Sequence, residues 1–274
     1  MINETQNLEE KVEHPIDKAV VQMNTVLYHG SPVPGIAKLD PEHKVADSLG
    51  DYMGSCTLGY GIYTTDSERM AVNYGFYRHS RNEDELKKDF GIESKPVVYQ
   101  IKLKNNLNQV VNLDCPEGVE ALMDEFYLHS ERVKDQMLER WKTKSPIVRD
   151  DFKNIVNIYP VFHKNVKDEN KKIKNLRLLA EEFNDYSSKN YDVSICETNF
   201  IRLITEILKE RGINGMICTE GGEGARSSVY DWEPCKSYLI FNNDAIETVS
   251  EDHYGMDDGK PVLKSRINRQ EVTA

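Results

Sequence analysis

Strand-type segments at both ends of the chain, separated by a long helix-patterned middle, restrict the fold more than any other feature of this sequence. Thr25-Val26-Leu27-Tyr28-His29 is rich in β-branched and aromatic residues and is halted by Gly30-Ser31-Pro32, the pattern of a strand running into a turn. Ile62-Tyr63-Thr64-Thr65 predicts a second strand. Asp66 or Ser67 then N-caps a helix expected to run to about residue 77. Residues 97–103 alternate apolar and polar side chains like a half-buried strand, and residues 110–113 predict another beyond the Asn105-Asn106 turn.

From residue 117 to residue 211 the composition shifts to Leu, Glu, Lys and Asn. Val119, Leu122, Met123 and Phe126 recur at helical intervals. So do Phe200, Leu203, Ile204, Ile207 and Leu208, on a helix that stops at Gly212. Strand patterning returns at 213–218 and 237–241, around a glycine- and serine-rich loop. The order predicts an α+β fold, with a helical insertion at about 117–196 inside one domain spanning 25–250. Residues 1–24 are expected to be a flexible lead-in and residues 251–274 a polar, frayed tail.

Charge and cysteine usage narrow the classes of function. Asp and Glu number 46 against 35 Lys and Arg, a net charge of −11, whereas binding to phosphate backbones draws on clustered positive charge. Nucleic acid is therefore not the expected partner, and the charged run at 164–174 is expected to be a solvated face. No stretch approaches the roughly 18 consecutive apolar residues of a membrane span, and residues 1–21 do not read as a signal peptide. The five cysteines are scattered, odd in number and without a C-x-x-C pair, which fits free thiols in a reducing cytoplasm. His129 and His163 lie in the helical block without metal-ligand spacing, so no metal is expected.

Three features occur in a fixed order: Tyr28-His29-Gly30 at a strand end, the run Gly59-Tyr60-Gly61-Ile62-Tyr63, and Tyr74 eleven positions after Tyr63. Together they resemble the ADP-ribosyltransferase superfamily of the diphtheria-toxin and poly(ADP-ribose)-polymerase type. The similarity is closest to the ADP-ribosyltransferase domain of phage and mobile-element polyvalent proteins. Residues 98–107, Arg211-Gly212-Ile213-Asn214-Gly215 and Ser237-Tyr238-Leu239-Ile240-Phe241 resemble later strands of that domain. The resemblance brackets residues 25–113 and 197–250 and does not cover the helical block. Ala71 stands where the polymerases often carry a serine.

The resemblance implies a split antiparallel sheet and a mono-ADP-ribosyltransferase that consumes NAD as a substrate. ADP-ribose would pass to a protein side chain and nicotinamide would leave. Gly30 would hold the nicotinamide carboxamide through its backbone, and His29 would bond a ribose hydroxyl. Tyr63 and Tyr74 would flank the pyridinium ring. Cleavage develops positive charge at the ribose C1′, which calls for a carboxylate beside it. Ser237 occupies the polymerase glutamate position, so the carboxylate is expected from Glu223, in Gly222-Glu223-Gly224, or from Glu233. Asp231 and Trp232 fall in the loop that faces the acceptor in this family. A phage or mobile-element effector acting in a cytoplasm, that of a host included, is the setting the resemblance implies.

Other readings stay open at this point. An NAD glycohydrolase of the same fold would use water as the acceptor, and a non-catalytic NAD- or partner-binding protein would keep the pocket without the chemistry. Tyr63 and Tyr74 also fit as core aromatics, and Glu223 and Glu233 as solvated loop acids.

Overall fold

A computed structural model describes residues 18–39, 61–140, 146–168, 176–220 and 233–269. Among them the chain forms nine strands and five helices, an α+β arrangement. The strands are β1 (Lys18–Val21), β2 (Val26–Ser31), β3 (Ile62–Thr65), β4 (Val97–Leu103), β5 (Leu107–Asn112), β6 (Gly215–Glu220), β7 (Cys235–Ile240), β8 (Ile246–Asp257) and β9 (Lys260–Asn268). The helices are α1 (Glu68–Phe90), α2 (Pro116–Arg140), α3 (Pro146–Asp168), α4 (Leu176–Tyr191) and α5 (Glu197–Glu210).

All nine strands share one sheet, ordered β1-β5-β6-β7-β3-β2-β4-β8-β9. Every pairing is antiparallel except β5 with β6. The sheet has one narrow seam. β2 pairs with β4 at six positions, Val26 through Ser31, but with β3 only at Tyr28 opposite Thr65. The seam divides the sheet into a β3-β7-β6-β5-β1 half and a β2-β4-β8-β9 half.

Two helical covers lie on the same face of the sheet. Residues directly opposite each other in a ladder share a face, and side chains alternate along a strand. Tyr28, Gly30 and Val98 therefore share a face with Thr65, Ser237 and Cys218. Over the β2-β4 half, α1 packs Ala71, Val72 and Phe76 against Val98 and Tyr28. Over the other half, α2–α5 pack Phe126, Tyr159, Phe183 and Phe200 against Val111, Met216, Leu239 and Phe241. The opposite face buries Leu27, Tyr99, Ile101, Leu107, Val110 and Ile240.

The start of α1 follows from its cap: the Ser67 side chain accepts the backbone N–H of Met70 at 3.2 Å. Its position depends on Gly30. A Cβ there would sit 1.9 Å from the Ala71 carbonyl oxygen and 2.9 Å from the Gly75 nitrogen, so the absence of a side chain sets how closely helix and strand approach.

Three sequence expectations change. Residues 18–21 belong to a strand paired with β5 rather than to a lead-in. The helix expected to end near residue 77 continues to Phe90, because Asn82 and Leu86 are buried on its inner side despite the charged residues around them. Residues 251–269, expected to fray, complete the β8–β9 hairpin instead. Its Asp258-Gly259 turn has φ of 48° and 74°, the left-handed pair of a two-residue hairpin turn. The hairpin is held by charge rather than apolar burial. Arg266 donates to both carboxylate oxygens of buried Asp252 at 2.7 and 2.6 Å, and Arg269 bonds buried Glu251.

In the helical block, Asp124 accepts from His163 at 2.9 Å and from Lys167 at 2.6 Å, and the His163 ring stacks on Tyr127. Burial pushes the Asp124 carboxyl up, but His163 and Lys167 outweigh it and hold the group below its ordinary 3.8. A carboxylate depressed in the folded state stabilises above its ordinary value, and that contribution is lost as pH falls through the folded value.

Two outcomes are expected. Gly30→Ala should destabilise the fold by at least about 1–3 kcal/mol, read as a lower thermal midpoint, because backbone atoms must move to admit the methyl group. Asp124→Asn should lower the urea midpoint at neutral pH, with the difference from wild type shrinking below about pH 4.

Candidate functional site

The site lies where the two helical covers part, along the seam. At the seam, His29 Nδ1 is 2.6 Å from the carbonyl oxygen of Tyr63. A carbonyl only accepts, so Nδ1 carries the proton and donates, and in the neutral ring Nε2 is then the acceptor nitrogen. By register the His29 side chain starts from the face opposite Tyr63, beside the Tyr99 ring at 6.2 Å between centroids. This bond supplements the one backbone pair that joins the halves.

Tyr63 is half-buried and packs against the larger core under the helical block. On its face lie Thr65 from β3, Cys218 and Glu220 from β6, and Cys235 and Ser237 from β7. From α1, Tyr74 reaches across to this group. Its hydroxyl donates to Glu220 Oε2 at 3.3 Å, and the Ser237 hydroxyl donates to the same oxygen at 2.6 Å. Burial pushes the Tyr74 hydroxyl well above its ordinary value, and the Glu220 charge pushes it the same way, so it stays a protonated donor. Thr65 receives the Ser67 N–H at 3.1 Å and donates to Cys235 Sγ at 3.3 Å.

A second cluster fixes the end of β6 from the opposite face. Asp114, just beyond β5, accepts the Thr219 N–H at 2.6 Å and the Thr219 hydroxyl at 2.9 Å, and it also bonds Lys236. Burial raises the Asp114 carboxyl, but Lys236 and Thr219 outweigh it and hold it below its ordinary value. Thr219 immediately precedes Glu220, so the cluster restrains the backbone that carries the Glu220 carboxylate.

The residues expected from sequence are distributed unevenly. His29 meets the backbone of Tyr63, and Tyr74 meets Glu220. The missing side chain of Gly30 faces α1, so helix packing accounts for the glycine at this position. Ala71, 1% exposed, lies against it. Glu233 is exposed and pairs with Arg69 on the surface at 3.2 Å. Glu223, Asp231 and Trp232 lie outside the described residues. His163 packs in the helical block rather than at the seam, and His129 lies 3.4 Å from Glu125.

Glu220 was missed because the expected strand stopped at Cys218. The signal was available in the alternation Met216, Cys218, Glu220, which continues one face of a strand two residues further. Among the described residues no group of three or more His, Cys, Asp or Glu could hold a metal ion, and no helix is long and apolar enough to cross a membrane. Known protein families, curated proteins and solved structures yield no match to this chain.

Burial pushes the Cys235 thiol up; the Thr65 hydrogen bond opposes it, and the Asp66 and Glu220 charges add smaller upward effects. Burial raises Cys218 further. Neither is a ready thiolate. At pH 7.5, iodoacetamide should label exposed Cys196 before Cys235 or Cys218, as read by peptide mass spectrometry.

Proposed function

We propose that this chain is an NAD-dependent mono-ADP-ribosyltransferase built on an ADP-ribosyltransferase-type split sheet. The observation that carries the reading is the seam. A nine-stranded sheet narrows to one backbone pair where the His-Gly strand meets the Gly-Ile-Tyr strand, and His29 bridges the two at 2.6 Å. The His29-Gly30 strand end and the Gly61-Ile62-Tyr63 strand, 34 residues apart at the bond, meet there through a polar side chain.

The bond to the Tyr63 carbonyl fixes the His29 tautomer, with the proton on Nδ1, in the residue assigned to the ribose. The Tyr63 ring, set beside the seam on the helical face, offers an aromatic surface to the electron-poor pyridinium. The closed packing of α1 on Gly30 keeps Tyr74 at a fixed distance from β6. Transfer breaks the bond from ribose C1′ to the nicotinamide nitrogen, whose electron pair leaves with nicotinamide. A lone pair of the acceptor side chain forms the new bond to C1′, and the acceptor gives up its proton. The chain's part is to orient the donor and to supply negative charge beside C1′.

Nicotinamide release from NAD by the purified chain tests this reading. Wild type should release nicotinamide and, given NAD labelled in its adenosine part, transfer label to a protein in a cell lysate. Tyr63→Ala should lower kcat/KM by roughly 100-fold, the cost of one lost positioning contact. A wild type that binds NAD without releasing nicotinamide refutes the enzyme reading.

A further inference from the structure

We infer that Glu220 is the carboxylate that acts beside the ribose, and that Ser237 and Tyr74 are positioning residues that hold it there. This rests on the transferase reading and assigns its acid to a residue outside the segment where the sequence pointed. Glu233, the other described candidate, is 76% exposed on its side chain and engaged by Arg69. An exposed ion pair of this kind adds little energy and fixes no geometry. Glu220 is half-buried, sits at the C-terminal end of a central strand, and shares a face with Tyr63.

The hydrogen bonds define how the carboxylate is presented. Both hydroxyls donate to Oε2, one from the neighbouring strand β7 and one from α1. A carboxylate has about four lone-pair positions; the two donors occupy Oε2, and the assignment gives Oε1 to a substrate hydroxyl or an incoming nucleophile. Ser237 is 3% exposed and can hold this geometry without competition from bulk water. Burial keeps Tyr74 a donor at any working pH. The Asp114–Thr219–Lys236 cluster holds the next residue back along the strand, so carboxylate and backbone are restrained together.

In the transfer step, the Glu220 charge offsets the positive charge developing at C1′ as the bond to the nicotinamide nitrogen breaks. The acceptor's lone pair forms the bond to C1′, and its proton passes to the Glu220 carboxylate. Tyr74 therefore acts through its hydroxyl as well as its ring. That separates this assignment from a role for Tyr74 in ring stacking alone, which the hydroxyl does not affect.

The test uses the full chain and Glu220→Gln, Ser237→Ala, Tyr74→Phe and Glu233→Gln. Nicotinamide release gives kcat and KM, isothermal titration calorimetry with NAD gives Kd, and thermal unfolding monitors the fold. The Gln side chain keeps an oxygen that Ser237 and Tyr74 can donate to, so Glu220→Gln removes charge with little disturbance. It should lower kcat by about 100- to 1,000-fold with Kd for NAD nearly unchanged. Ser237→Ala and Tyr74→Phe should each lower kcat by roughly 10-fold with KM held, and neither should reduce the residual rate of Glu220→Gln further.

Release that persists in Glu220→Gln above a tenth of wild type overturns the assignment alone, and loss confined to Glu233→Gln transfers the role to Glu233. Equal losses from Tyr74→Phe in the wild-type and Glu220→Gln backgrounds show that Tyr74 does not act through Glu220, and overturn its positioning role. Should Glu220→Gln unfold, Tyr74→Phe carries the test, and unchanged kcat in that variant overturns the positioning. A wild type without nicotinamide release overturns the transferase reading and this assignment together.

Discussion

The contact of α1 with β2 at Gly30 is the constraint on which the rest of the structure depends. With no Cβ at this position, the Ala71 backbone lies directly over the strand. That closeness sets the height of α1 above the sheet, and with it the reach of Tyr74 toward β6. A helix resting one methyl group higher would carry the Tyr74 hydroxyl away from a carboxylate 3.3 Å distant. The glycine of the His-Gly pair thus determines geometry on a strand with which β2 forms no ladder, by way of a helix.

Much of this arrangement could be read in the sequence where side-chain pattern alone decides local structure. The strand at 26–31, the strand at Ile62–Thr65, the Ser67 cap and the stop of α5 before Gly212 all follow from residue type and spacing. The pattern failed where polar interactions do what apolar burial usually does. The β8–β9 hairpin exposes Met256, Leu263 and Ile267 and encloses Glu251 and Asp252, inverting the usual distribution of apolar and charged side chains. A hydropathy reading sees a tail there, because the two arginines that neutralise the acids lie 14 and 18 residues further along the chain. The Asp258-Gly259 pair was the one local cue to a hairpin.

The site divides in the same way. His29 and Tyr63 could be named because their spacing is local to two short strands. Glu220 could not, because its significance arises from pairing between β6 and β7 and from a helix more than a hundred residues earlier. Its neighbours on that face, Cys218 and Cys235, read as scattered cysteines until the register places them beside one another's strands. Their raised thiols result from burial first, with the Glu220 charge acting in the same direction.

The narrow seam also has a mechanical consequence. A ladder of many rungs resists shear because its bonds must break together, whereas one backbone pair and one imidazole bond yield singly. Beneath the seam, Leu27, Tyr99 and Ile101 of one half share a single buried cluster with Ile62, Val110 and Ile240 of the other, so apolar packing resists the shear that the short ladder does not. The Glu220 carboxylate stands on one side of the seam and the Tyr74 hydroxyl that steadies it comes from the helix packed on the other. Their 3.3 Å contact is therefore a further crossing of the seam on the helical face, beside the backbone pair and the imidazole bond.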